Sequence, residues 1–319
     1  MDSPTGTADL VRTKLNAHPP IPATQSGGGC LILFALPFLT VGVVVILVSL
    51  GYIKASGRGL GESRGMLTVF GSLFAIAGLG VGWMGVAGML RARGVGKRKE
   101  EHPTEPWYWD YPWDSRGAES GSLGSAIQSF MAFLFLALFL SIFNWWAFFS
   151  DEGPLPVKVF VGLFDLIAVV VLLSAFYLLF QYFKYGTSRL HFARFPFRPG
   201  NSVEAGLEAS RKVLAAPSIL LTLRYIEEVT ETHRSGSKQS TLQVLYCLHE
   251  IKQELNSSQF DANSGSEIPI NIRLPAGDVT TRLSESPRRY WELEVKAETP
   301  GIDYAARFVL PVYSADMKG

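Results

Sequence analysis

The residues able to do chemistry are few and scattered. Cys247, His249 and Glu250 lie within four positions of one another, and a thiolate, an imidazole and a carboxylate are the groups that bind zinc. His249-Glu250 is not followed by the second histidine of a zinc-protease helix, and Cys247-x-His249 has no matching pair elsewhere. No metal site is therefore expected. On an alternating strand Cys247 and His249 would share one face, opposite Tyr246 and Leu248, and a pair on the solvent side is the ordinary arrangement. The chain has no GxSxG turn, no P-loop and no dinucleotide fingerprint. His18, His102, His191 and His233 stand alone, while Asp278, Glu285, Arg288 and Arg289 fall on a polar loop that would solvate them. The sequence predicts neither an enzyme nor a bound cofactor.

Two further polar residues, Asn144 and Asp165, interrupt long apolar stretches. A carboxylate in such surroundings must pair, take up a proton or face water. Asp165 would then serve either as a proton or cation site, or as a hydrogen-bonded clasp with Asn144 that fixes the register of two helices.

The elements that hold these residues follow from composition. Of 319 residues 48% are hydrophobic and 18% charged, with a mean hydropathy of +0.19, which is high for a soluble chain of this size. Apolar residues crowd the first 185 positions, whereas Gly186 to Gly319 carries 16 Lys/Arg against 16 Asp/Glu. That neutral balance excludes a nucleic-acid surface, which needs a basic face. Cys30 and Cys247 lie in different parts, so no disulfide is expected and reducing surroundings fit.

Residues 1–29 are polar and rich in Pro, Thr and Gly, and are read as a disordered tail. Four transmembrane helices are expected at about 30–52, 66–90, 126–149 and 159–183, each long enough for a hydrocarbon core of roughly 30 Å. Pro37 should kink the first and face the bundle. In the second, Gly71, Gly78, Gly82 and Gly85 form one narrow stripe, with Gly78 and Gly82 as a GxxxG pair, which lets the first helix approach closely. Phe34, Phe38 and Gly42 repeat the spacing of Phe70, Phe74 and Gly78, as an internal duplication or as the common usage of membrane helices.

The second span ends in five Lys/Arg within Arg91–Lys99. If this side is cytoplasmic, eleven basic residues flank the spans inside against four outside, which puts both termini inside. Within the loop 91–125, Pro103, Pro106, Trp107, Trp109 and Trp113 form either an interfacial anchor at headgroup depth or a docking element. Gly117–Ser125 reads as a flexible lead into the third span.

Beyond the spans the period changes to two. Seven alternating segments, from Ser188–Phe195 to Tyr304–Tyr313, are separated by Gly, Pro, Asn and Ser clusters. This is the pattern of a β-sandwich, expected over 186–316 and in the cytosol. The fold class is thus membrane α-helical with an all-β C-terminal sandwich, and the helical part extends over 30–185.

Three sets of residues carry a resemblance. They are Pro103-x-x-Pro106-Trp107-x-Trp109-x-x-x-Trp113, Phe34-Ala-Leu-Pro37-Phe38, and the ending Tyr290-Trp291-x-Leu293-x-Val295-x-Ala297-x-x-Pro300-Gly301-x-Asp303-Tyr304-x-Ala306-x-Phe308-x-x-Pro311-Val312. Together they resemble a family of bacterial multi-pass membrane proteins catalogued as a domain of unknown function. The resemblance implies the bacterial inner membrane and brings no activity with it. The β part, with Pro199-Gly200 before a Val-x-Ala-Gly strand, is also similar in outline to arrestin-like sandwiches. Those bind partners through sheet edges and loops.

Two functional readings follow. One is a membrane-anchored binding or assembly protein that presents a cytoplasmic β-sandwich to an unidentified protein partner. The other is a small transporter or channel subunit, which needs self-association because four helices make a narrow bundle.

Overall fold

The computed structural model describes residues 12–15, 28–53, 64–149, 154–235, 238–256 and 267–314. Most of the expected tail, most of the loop Ile53–Gly65, the acidic residues 150–153 and most of the polar loop Asn256–Glu267 lie outside the described residues. The chain divides into two compact units. One joins Gln25–Gly94 to Ser122–Phe180, and the other joins Met1–Thr24, Val95–Gly121 and Gln181–Gly319. The expected boundary is corrected here, because 95–121 belongs with the β part and not with the helices.

In the first unit the helices are α1 (Gly29–Ser49), α2 (Arg64–Glu101, which runs on past the unit), α3 (Leu123–Asn144) and α4 (Leu155–Tyr185), and a π-helical turn, Trp145–Phe149, ends the third. Among the described residues these four are long and apolar enough to cross a membrane, and only 11–17% of each apolar window is buried within the protein. Their outward faces are therefore apolar, the opposite of a soluble amphipathic helix. The second helix is longer than the sequence suggests. At 38 residues and a rise of 1.5 Å it measures about 57 Å, and the basic cluster Arg91–Lys99 is helical.

The seam between α1 and α2 is built from small residues seven apart. On α1 the buried positions are Ala35, Gly42 and Ser49, in step with Gly28 at the N-cap. On α2 they meet Gly85, Gly78, Gly71 and Thr68. A Cβ placed on Gly78 would fall 2.6 Å from the backbone N of Leu39, one on Gly42 2.4 Å from the N of Ala75, and one on Gly85 2.8 Å from the carbonyl O of Gly28. Thr68 closes the far end by donating to Ser49 Oγ at 3.0 Å. Heptad spacing keeps two helices in register along one seam, and side-chain-free positions let the backbones touch. A Cβ on Gly82 would meet Ala35 Cβ at 3.6 Å, in ordinary van der Waals contact, so the close backbone approach follows Gly71, Gly78 and Gly85 and not the GxxxG pair. Pro37 is exposed, contrary to expectation, because the small residues already fix which face of α1 is packed. Phe38 stacks on Phe74 at 5.8 Å, and Phe74 meets Phe139 of α3 at 6.1 Å. Multiples of the same interval separate the buried residues Ala126 and Leu140 of α3 and Ala147 of the π-helical turn, and the interval itself separates Val161, Ala168 and Ala175 of α4.

The second unit is a two-sheet β-sandwich. Its strands are β1 (Thr13–Lys14), β2 (Gly117–Ser120), β3 (Ser188–Phe192), β4 (Ser202–Glu208), β5 (Ser218–Ser235), β6 (Lys238–Asn256), β7 (Glu267–Arg273), β8 (Arg288–Ala297) and β9 (Tyr304–Leu310), with a helical turn α5 (Arg211–Leu214). One sheet runs β1-β6-β5-β8-β9 and the other β2-β3-β4-β7, all antiparallel. The alternating residues of both sheets meet in one core, with Leu221, Leu223, Tyr225, Trp291, Leu293, Val295 and Phe308 of the five-stranded sheet facing Leu207, Ile268 and Ile270 of the other. Tyr225 stacks on Trp291 at 5.0 Å, and Trp291 Nε1 donates to Val279 O at 2.6 Å, so the loop after β7 caps this core.

Three expectations change in this unit. Gly117–Ser120 is not a flexible lead but β2, paired with β3 from Gly117↔His191 to Ser120↔Ser188. Thr13–Lys14 of the expected tail form an edge strand. In β6 a bulge shifts the register between Tyr225/His249 and Ile226/Cys247, so Leu248 and His249 together oppose Tyr225 and Cys247 turns to the other face. Cys247 and His249 therefore do not share a solvent-side face. The thiol is buried, and burial raises its pKa.

The seam yields a graded prediction. Gly78→Leu or Gly42→Leu should cost about 1–3 kcal/mol through overpacking, whereas Gly82→Ala should leave thermal unfolding of the detergent-solubilised protein unchanged. Equal effects at the three positions would refute the close approach.

Candidate binding surface on the outer sheet face

The five-stranded sheet buries residues on both faces. Inner positions feed the main core, while Ile226, Leu245, Leu283 and Tyr290 form a second apolar cluster on the opposite face. Leu15, Tyr111, Trp113 and Val309 pack against it. Two segments remote in sequence thus cover one patch: the aromatic loop, and the strand β1.

The aromatic loop is held by one carboxylate. Asp110 is 1% exposed, and it accepts from the backbone N of Leu283 at 2.9 Å, the backbone N of Ser284 at 2.6 Å and the Tyr313 hydroxyl at 2.9 Å. Trp113 Nε1 donates to the same Tyr313 oxygen at 3.0 Å. Pro106 is buried and opens a short 3-10 turn, Pro106–Tyr108, where its fixed φ suits the first position. Trp107 and Trp113 both meet the Tyr313 ring edge-on, at 6.0 and 6.3 Å. Trp109 Nε1 donates to His102 O at 3.0 Å, and Lys99 Nζ lies 4.7 Å from its ring centre. Pro103 is exposed. Where the sequence leaves a lipid anchor and a docking element open, the structure seats Trp107 and Trp113 on a tyrosine of the chain's own β part. Burial pushes the pKa of Tyr313 well up and that of Tyr111 up, so both phenols stay neutral and Tyr313 keeps the proton it donates to Asp110.

The strand β1 lies on the edge of β6. Thr13 pairs with Cys247 and Lys14 with Tyr246, and Leu15 N donates to Leu245 O at 2.9 Å. Side chains fix its register. Arg12 reaches Glu227 at 2.7 Å and stacks over the Tyr246 ring at 4.0 Å, while Leu15 enters the second cluster. Glu227 is itself 6% exposed and also takes the Arg289 guanidinium at 2.9 Å. A buried carboxylate between two guanidinium groups is compensated, and removing either would leave it under-paired. Beyond these two residues, the 19-residue β6 has no further strand on this edge among the described residues.

The other residues singled out by sequence lie apart from this surface. Asn144 Nδ2 donates to Asp165 Oδ1 at 2.9 Å, joining the last residue of α3 to α4 ten residues in from its start. Gly71, Gly78, Gly82 and Gly85 belong to the α1–α2 seam and its margin. Among the described residues, no group of three or more His, Cys, Asp or Glu is placed to hold a metal ion. Sequence reasoning missed Asp110, Tyr313, Arg12 and Leu15. The one available signal was a lone acid amid Trp107–Trp113.

No protein-family model matches the sequence, and no curated protein matches it. The family resemblance stands on the quoted residues alone. A similar solved structure is that of Spo0M, a sporulation control protein from Bacillus subtilis, at 12% identity and a TM-score of 0.24. The match covers 40% of this chain and 49% of that one, about half its length. A likeness at this level carries no functional information.

Asp110→Ala would strip two buried N–H groups and one hydroxyl of their acceptor, at a cost of about 3 kcal/mol. Amide exchange at Leu283 and Ser284 should accelerate together. Protection unchanged at both would mean that the carboxylate does not hold the loop.

Proposed function

We propose that the chain is a membrane-anchored binding protein whose β-sandwich takes an extended segment of a protein partner along the edge of β6. The carrying observation is that this edge already holds β1 and its flanking residues Arg12 and Leu15 by main-chain hydrogen bonds, an ion pair and one apolar anchor. Strand addition draws affinity from the backbone and specificity from alternate side chains. The preferred segment is basic at the first position and aliphatic at the fourth, matching Glu227 and the Leu245–Tyr290 cluster. A partner strand of this kind would displace β1 or extend beside it.

Four apolar helices support anchoring in a membrane. The excess of basic residues favours a cytoplasmic sandwich and both termini inside, and the resemblance favours the bacterial inner membrane. A non-enzymatic role fits the buried Cys247, whose raised pKa makes it a poor nucleophile. The reading as an oligomeric transporter or channel subunit has less support, since Asp165 is engaged by Asn144 and the α2 glycines by α1.

The test is direct. In an Arg12→Ala/Leu15→Asp variant the edge is vacated, and a labelled peptide DLVRTKLN, the sequence of residues 9–16, should bind the solubilised variant saturably. It should bind the unaltered chain roughly tenfold more weakly, about 1.4 kcal/mol. A peptide carrying Asp at the leucine should not bind. Failure of the parent peptide on the vacated edge would sink the proposal.

A further inference from the structure

The turn between β3 and β4 and the end of β7 enclose an open polar cavity of about 630 Å3, away from the β6 edge. Its walls bring together Arg194, Arg198 and Arg273 with Asn201 and Ser202, and Glu204 is the single acid among them. Arg194 lies 4.0 Å from Glu204. Arg198 and Arg273 have no carboxylate partner among the described residues, unlike Arg224, Arg282, Arg288, Arg289 and Arg307, which all have one. Among the described residues, the cavity thus gathers two guanidinium groups that no carboxylate compensates.

The frame beneath it is rigid. Gly200 takes φ +81°, which lets the chain reverse. Its N–H donates to Pro275 O at 2.9 Å, and Leu274 N donates to Asn201 O at 2.9 Å. Phe197 exchanges hydrogen bonds with Pro311 and Tyr313, at 2.8 and 2.9 Å, and Ser202 pairs with Arg273 in the ladder. Both free arginines therefore project from fixed backbone. A planar guanidinium offers paired N–H groups that match phosphate oxygens, and two of them aimed into one space suit a ligand with at least two negative charges. The volume is that of a small-molecule site, larger than a single phosphate fills.

The position within the sandwich bears on the source of that phosphate. β3 starts just after Tyr185, the last residue of α4, and the cavity lies past its other end. Five strand residues span about 17 Å, so β3 sets the cavity about 17 Å from Ser188. We propose that Arg198 and Arg273 bind the diphosphate group of a soluble small molecule, with Asn201 and Ser202 donating to its oxygens and Glu204 setting Arg194 aside.

Titration calorimetry on the full chain in neutral-lipid nanodiscs, with inorganic pyrophosphate as the probe, tests this. Saturable binding is expected, about tenfold or more weaker in Arg198→Ala/Arg273→Ala, and tighter in Glu204→Gln, which frees Arg194. Near-ultraviolet circular dichroism should be unchanged in both variants, and single Arg→Lys changes, in case the double variant does not fold, should weaken binding without loss of structure. Absence of saturable binding at millimolar pyrophosphate, or equal binding by all variants, would overturn the site. Arginine-dependent capture on phosphatidic-acid nanodiscs without binding of pyrophosphate would overturn the soluble source and assign the cavity to a lipid headgroup.

Discussion

The β unit depends on how one buried carboxylate is satisfied. Asp110 accepts two backbone N–H groups and one phenol, from residues more than 170 positions further along the chain. A carboxylate with so little exposure would be costly without such partners. With them it becomes a fixed point that brings the aromatic loop onto the outer face of the five-stranded sheet. Pro106, Trp107 and Trp113 then find their places around Tyr313, and Tyr111 and Trp113 complete the second apolar cluster. That cluster gives Leu15 something to enter, and so gives β1 its place.

A sandwich with two apolar faces on one sheet is unusual in composition. β5 and β8 carry buried side chains on both faces, so they are not strictly alternating: β8 reads Tyr290, Trp291, Glu292, Leu293, Glu294 and Val295, all buried. The acids among them remain tolerable through pairing. Although burial opposes ionisation of Glu294, hydrogen bonds from Arg224 and Lys296 bring its pKa below the usual carboxylate range. Glu228, beside Arg288, is instead pushed up because burial outweighs its one partner.

Much of this architecture can be read from the chain before any coordinate is seen, and the parts that cannot share a cause. The long apolar blocks and the period-two segments declare themselves because each repeats one simple pattern over many residues. β1 and β2 are two and four residues long, too short for a period, and exist only through pairing with strands far away. The helix α2 runs on to Glu101, beyond what the sequence predicts, because Gly94 and Gly96 disguise a basic stretch that continues the helix. The bulge at Leu248 leaves no mark in composition, yet it reverses which side Cys247 occupies. For the candidate surface, the tryptophans and prolines stood out by type, whereas Arg12 and Leu15 look like any residues of a polar leader. Their importance lies in what they touch.

The placement of β1 also constrains the order in which the protein can be assembled. Arg12 emerges from the ribosome before the four apolar helices described, but its partner Glu227 follows 215 residues later, at a synthesis rate of about 5–20 residues per second. For ten seconds or more the amino-terminal strand has nowhere to go, and during that interval the β6 edge of a copy whose own β1 has not yet docked offers the same place.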